Sequence, residues 1–196
     1  DASTVGNFDL DIIDGTNELL DDLNDNKFEI VYLLGQDSLN FKKKNEFVIY
    51  QGSHGDKGAE IADIILPGAA YTEQSGFYSN LEGKLQKAYK ASYPPGDAKE
   101  DWLIINELSE YISKKKLFID KEDLENNMIN YINLLTKNNS PKKNLDNNVL
   151  NFNKENIKVN TIDYYYSNVI ARASKTMFNC REEKKKNKSN GKEIYL

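Results

Sequence analysis

The sequence predicts an α/β fold: a partial, Rossmann-like, mainly parallel sheet with flanking helices. Three observations carry this. Its strand-length apolar runs are continuous rather than alternating, the pattern of strands buried on both faces. Helix, buried strand, connection, buried strand, loop and buried strand is the order of a parallel α/β domain. Finally, about three such strands are visible where sheets ordinarily hold ~5–6. The sheet is therefore expected to be completed by a partner chain or by sequence further upstream.

The opening, Val5 to Leu10, has little periodicity. Thr16 can cap a short helix with Leu19, Leu20 and Leu23 on one face, and Asn24-Asp25-Asn26 ends it. Phe28 to Leu34 reads as the first buried strand, closed by Gly35-Gln36-Asp37. The second is Phe47 to Tyr50, after a Lys-rich connection, and the third is Asp63 to Leu66, stopped by Pro67. Pro94-Pro95-Gly96 then breaks the chain. Asp97 and Glu100 have capping-box spacing before a helix whose buried stripe is Ile104, Ile105, Leu108 and Ile112. Lys114-Lys115-Lys116 suits the negative end of that helix dipole. A further helix is expected from Asp120, with Leu124, Met128, Tyr131 and Leu135 on one face. From Lys137 to Asn160 the chain is Asn/Lys-rich and reads as a long loop or insert. Structure should resume over 162–178, leaving a solvated, mobile tail from Arg181. The expected division is 1–115, an α/β piece; 116–161, a helix plus the insert; 162–180, a segment packing back on the domain; and 181–196, a polar tail.

Composition excludes several functions. Of 196 residues one is Cys (Cys180) and one is His (His54). A thiolate-held iron–sulfur cluster needs about four cysteines and a structural zinc site about four Cys or His ligands. This chain alone can build neither, nor an internal disulfide, and the usage fits a reducing compartment. A net charge of −5 argues against a nucleic-acid partner. No apolar run approaches the ~20 residues that cross a bilayer as a helix. The first residue is Asp, so the chain is expected to begin after processing or within a longer polypeptide.

The densest unusual segment is Gln51-Gly52-Ser53-His54-Gly55-Asp56-Lys57-Gly58, directly after a buried strand, where open α/β sheets bind ligands. Its G-x-x-G-x-x-G spacing is neither the dinucleotide fingerprint nor a P-loop, and a turn needing positive φ is the simpler reading. His54 and Asp56 could form an acid–base pair, though a structural role for a lone histidine is simpler. Asp63, Glu73 and Glu82 have no metal-ligand spacing. Cys180 has no partner that would activate it. Tyr164, Tyr165 and Tyr166 cannot all face one core and suit an interface. From the residues alone there is no catalytic constellation and no metal site.

Residues 47–102 are specific when taken together. The run Tyr50-Gln51-Gly52-Ser53-His54-Gly55-Asp56, then Ala62-Asp63-Ile64-Ile65-Leu66-Pro67-Gly68-Ala69-Ala70-Tyr71-Thr72-Glu73, Asn80-Leu81-Glu82-Gly83 and Pro94-Pro95-Gly96-Asp97, resembles the C-terminal region of the large iron–sulfur subunits of respiratory complex I. In outline it is shared with the wider molybdopterin oxidoreductases. Tyr166 to Met177 and Cys180 resemble that family's ending, and Val31 to Asp37 its preceding strand and turn. The likeness covers about 1–115 and 162–180, with the Asn/Lys-rich stretch departing from it.

The resemblance implies a non-catalytic structural part of complex I on the matrix side of the mitochondrial inner membrane. It implies no catalytic residue, and no cofactor in this chain. Gly52, His54, Gly55, Asp56 and Gly58 would be the vestige of a cofactor-contacting loop. Iron–sulfur clusters, FMN and ubiquinone would belong to the parent complex. The partners implied are an N-terminal iron–sulfur part of the same subunit, as a separate chain, and other peripheral-arm subunits, with no direct membrane span. A fragment of a catalytic molybdopterin-dependent oxidoreductase is the alternative, and a stand-alone nucleotide-binding module a third reading.

Overall fold

In the computed structural model, residues 4–12, 18–36, 42–138 and 163–189 are described. Helices α1 (Thr4–Asp9) and α2 (Glu18–Asn24) precede β1 (Ile30–Leu34). Next come β2 (Phe47–Gly52), the short helix α3 (Lys57–Ile61) and β3 (Ile64–Pro67). These strands form a parallel sheet in the order β1-β2-β3, with Ile30 beside Phe47 and Ile49 beside Ile64. The three predicted strands thus form, and the class is α/β.

One face of this sheet holds a small core. Leu33, Val48 and Tyr50 are buried there, backed by Val31, Ala59, Ile61 and Ala62. The opposite face is open at Ile30, Leu34, Phe47 and Ile64, although Gln51 on that face is fully buried; this corrects the expectation that the first strand is buried on both faces within this chain. Ile30 is 63% exposed, Leu34 51%, Phe47 43% and Ile64 45%. Among the described residues no helix covers these side chains.

The sheet's ends are closed by polar contacts. Gly35 turns the chain out of β1 at φ 61°, a conformation that costs glycine little because it has no Cβ. Asp63 ties β3 to its neighbours: its carboxylate accepts from the Val48 N–H (2.7 Å) and pairs with Lys43 (2.6 Å). The hydrogen bond from Lys43 and that from Val48 hold its pKa below the ordinary value.

A second, two-stranded antiparallel sheet follows: β4 (Gly76–Ser79) with β5 (Leu85–Ala88). The sequence reading missed it. Asn80 makes the turn, its side-chain oxygen accepting from Glu82 N–H (3.0 Å) and Lys84 N–H (2.8 Å), while Gly83 takes φ 76°.

Helix α4 (Asp101–Ser113) begins four residues beyond the predicted cap. Its N-cap is Glu100, with no side-chain capping bond. The predicted stripe is also corrected: Ile112 is 73% exposed, and the buried residue of α4 is Asn106. Asn106 templates the next turn. Its side-chain oxygen accepts from Leu117 N–H (2.8 Å) and Phe118 N–H (3.0 Å), and its amide donates to the Phe118 carbonyl (2.9 Å). Helix α5 (Lys121–Asn138) starts at the predicted place, with Asp120 accepting from Asp123 N–H (2.9 Å).

The Asn/Lys-rich stretch beyond Asn138 lies outside the described residues. Tyr164–Tyr166 form a 3-10 turn, followed by α6 (Val169–Ala173) and α7 (Lys175–Ser189). The tail expected to be mobile from Arg181 is helical through Ser189. Pairs one turn apart, Lys185 with Glu182 (2.6 Å) and Lys186 with Glu183 (3.1 Å), support it. Among the described residues no helix is long and apolar enough to cross a membrane.

Candidate functional site

The glycine-rich loop leaves the C-terminal end of β2 and enters α3. Its glycines serve a different purpose from the one predicted. None of Gly52, Gly55 and Gly58 has positive φ. Gly52 and Gly58 are required by close approach instead. Residues 50 and 52 share a face of β2, and the Tyr50 ring lies where a Cβ on Gly52 would project. A Cβ on Gly58 would stand 2.7 Å from the Gln36 carbonyl oxygen and 2.8 Å from the Tyr50 ring. The Tyr50 hydroxyl then donates to the His54 carbonyl (2.7 Å), fixing the loop from beneath.

His54 and Asp56 are each engaged elsewhere. The His54 ring meets the Ser53 hydroxyl at 3.0 Å. One Asp56 oxygen caps α3 by accepting from Lys57 N–H (2.9 Å), and the other accepts from the Arg172 Nε (2.5 Å). Arg172 stands on α6, so the C-terminal segment reaches the loop through this charged pair. Glu73 accepts from Ala70 N–H (2.9 Å), and Glu82 lies exposed in the hairpin turn. Cys180 is exposed on α7. Tyr164 is exposed, whereas Tyr165 and Tyr166 lie under Lys184 and Arg181. Among the described residues no three His, Cys, Asp or Glu side chains group as metal ligands.

Behind the loop lies a polar network that the sequence did not announce. Gln51, fully buried, donates to the Asp101 carboxylate (2.7 Å) and accepts from the Tyr32 hydroxyl. Gln74 donates to the other Asp101 oxygen (2.9 Å) and accepts from the Asp101 N–H (3.3 Å). Burial, then the nearby Asp101 charge, push the Tyr32 hydroxyl above its ordinary pKa. Gly68 admits this network, since a Cβ there would stand 2.6 Å from the Asp101 carboxylate.

A second polar centre lies around Glu100, which accepts from Lys121 (2.5 Å), Lys90 (3.2 Å) and the Trp102 indole (3.2 Å). Lys121 also donates to the Ser75 carbonyl (2.6 Å). Burial pushes the Glu100 carboxyl up, but the two ammonium groups and the indole outweigh it and hold it below the ordinary range.

An open pocket of about 500 Å³ lies between the loops that follow β2 and β3, bordered by Ser53, His54, Gly68, Glu73 and Asp97.

Comparison with known proteins gives the family. The family pattern for molybdopterin oxidoreductase matches residues 1–111, more than half of the chain. The chain belongs to that family. The pattern for the C-terminal part of the G-type subunit of NADH-ubiquinone oxidoreductase matches residues 135–180. That match corrects one expectation, because the Asn/Lys-rich stretch falls inside it. The chain is 43% identical, over 97% of its length, to the G-type subunit of NADH-quinone oxidoreductase from Rickettsia bellii. It is 40% identical to the NADH-ubiquinone oxidoreductase 75 kDa subunit of Reclinomonas americana, over 91% of its length. To the mitochondrial 78 kDa subunit of Candida albicans it is 40% identical over 92%. It spans only 26% to 28% of the length of these relatives.

The cofactor that the family's name implies does not fit this loop. A phosphate-bearing pterin needs backbone approach and cationic or N–H donors. Here Tyr50 fills the space above Gly52 and beside Gly58. The adjoining pocket is lined by two acidic residues, Glu73 and Asp97, and among the described residues no Lys or Arg lines it.

Proposed function

We propose that this chain is a non-catalytic structural part of the peripheral arm of mitochondrial complex I. It supports the iron–sulfur part of the same subunit during electron transfer from NADH to ubiquinone. The observation that carries this reading is the occupancy of the glycine loop by the chain's own groups. Tyr50 packs against its glycines, Asp56 caps α3 and pairs with Arg172, and the His54 carbonyl accepts from Tyr50. A loop so engaged is a joint rather than a cradle. The similarity to the G-type subunit of Rickettsia bellii and to the 75 and 78 kDa subunits supports the assignment to this complex.

On this reading the iron–sulfur clusters, FMN and ubiquinone are bound elsewhere in the complex. The main partner is the N-terminal iron–sulfur part of the subunit, carried on a separate chain, with other peripheral-arm subunits around it. The site is the matrix side of the inner membrane. Native electrophoresis of solubilised membranes, with mass spectrometry and NADH-dehydrogenase staining, tests this. The chain is expected in a very large NADH-oxidising band beside a cysteine-rich partner. Migration as a small soluble species, or with molybdenum and no NADH oxidation, refutes it.

A further inference from the structure

The parallel sheet is closed on one side and open on the other. At the outer edge of β3, residue 99 already forms a parallel bridge: Lys99 N–H donates to the Pro67 carbonyl (3.1 Å) and Ala69 N–H to the Lys99 carbonyl (2.8 Å). At β1 the bonding runs inward only. The Glu29 carbonyl accepts from Phe47 N–H (2.8 Å) and Gly35 N–H donates to the Gln51 carbonyl (2.7 Å). In a parallel ladder alternate residues bond to the same side. The N–H and C=O groups of Ile30, Tyr32 and Leu34 therefore point away from β2. Among the described residues no strand meets them.

Side chains repeat the message. Ile30 and Leu34 share a face with Phe47 and Ile64, and all four are exposed. Parallel sheets are covered on both faces. An uncovered edge is ordinarily blunted by Lys, Pro or a bulge, and the sequence Ile-Val-Tyr-Leu-Leu has none of these.

We infer that the outer edge of β1 and the apolar face from Ile30 to Ile64 receive a parallel strand, with its attached helix, from the upstream part of the same subunit. This rests on the proposed function and adds the surface and the mode of joining. The occupant follows from length and position: relatives carry nearly three quarters of their chain outside the matched region, and residues 135–180 match the C-terminal part of the G-type subunit. A parallel neighbour needs a crossover, usually helical, and that helix would cover the open face.

The test is photo-crosslinking in the assembled complex, with benzoyl-phenylalanine incorporated at position 30, 34 or, as a control, 119. Ile119 is exposed in the turn before α5. Positions 30 and 34 are expected to link to peptides of the upstream part, with at least tenfold higher yield than position 119. In parallel, Leu34→Asp should reduce the chain's share in the large band at least tenfold, while Ile119→Asp changes it less than twofold. Crosslinks from 30 and 34 to a second copy, to another subunit or to residues 139–162 of the same chain overturn the inference. So does no crosslink when the chain comigrates with the complex, and that result leaves the proposed function standing. Failure of the unsubstituted chain to comigrate overturns both.

Discussion

Replacing Gly58 by alanine should destabilise the protein, although general helix propensity says the opposite. Gly58 lies within α3, where alanine normally gains about 1 kcal/mol over glycine. Here the added methyl would sit 2.7 Å from the Gln36 carbonyl oxygen and 2.8 and 2.9 Å from two Tyr50 ring carbons. The oxygen belongs to the backbone and the ring is buried, so neither can swing aside. Overpacking of this kind costs about 1–3 kcal/mol. With three crowded contacts the upper part of that range applies, leaving a net loss of roughly 1–2 kcal/mol. For a chain of this size that lowers Tm by about 2–8 °C. The control is Gly55→Ala, whose methyl would meet only Ala59 Cβ, at 3.6 Å, and whose φ is not positive. It should leave Tm unchanged or raise it slightly. Thermal unfolding followed by circular dichroism reads both. If Gly58→Ala is as stable as Gly55→Ala, the space beside Gly58 is empty and the argument against a ligand there fails.

Glu100→Gln should cost about 2 kcal/mol, because it removes the charge of a buried carboxylate that Lys121 and Lys90 pair with. The folded-state pKa of Glu100 is lowered, so its contribution is present above the ordinary value of 4.5 and is lost as pH falls through the folded-state value. Urea titrations on both sides of that window should show the difference from the Gln variant shrinking in acid; a constant difference contradicts the assignment. Asp101→Asn turns an acceptor of two glutamine amides into a group that also donates, and a loss of about 1–2 kcal/mol is expected by the same titration. Arg172→Ala, Asp56→Ala and the double variant should give a coupling of about 0.5–1 kcal/mol, since both side chains are partly exposed. A coupling near zero would mean that α6 is held to the loop by other contacts.

Elements whose apolar residues form runs were legible in the sequence. Ile30 to Leu34 and Phe47 to Tyr50 announce strands because apolar side chains, most of them β-branched or aromatic, fill them without turn residues. The hairpin escaped because β5, Leu-Gln-Lys-Ala, has neither alternation nor a continuous apolar run, and its only signal is Asn80 with Gly83. The second half of helix α7 escaped because it has no apolar stripe; its support is ionic, and periodicity is silent about charges. At the candidate site the glycines were found and their reason was misread. Positive φ and close approach both select glycine, and only the Tyr50 ring position separates them. Gln51, Asp101 and Gln74 were not singled out as a network, since a sequence shows no sign that residues 50 positions apart will touch.

The Arg172–Asp56 pair closes a span of 116 residues. Joining two points so far apart in a free chain costs about 4 kcal/mol by the (3/2)RT ln n rule, several times what a partly exposed ion pair returns. The pair therefore cannot seed the structure; it forms only after intervening segments have folded and brought its ends together. During synthesis, Asp56 waits until Arg172, 116 residues later, has emerged. Its closure marks the moment when α6 is seated against the glycine loop.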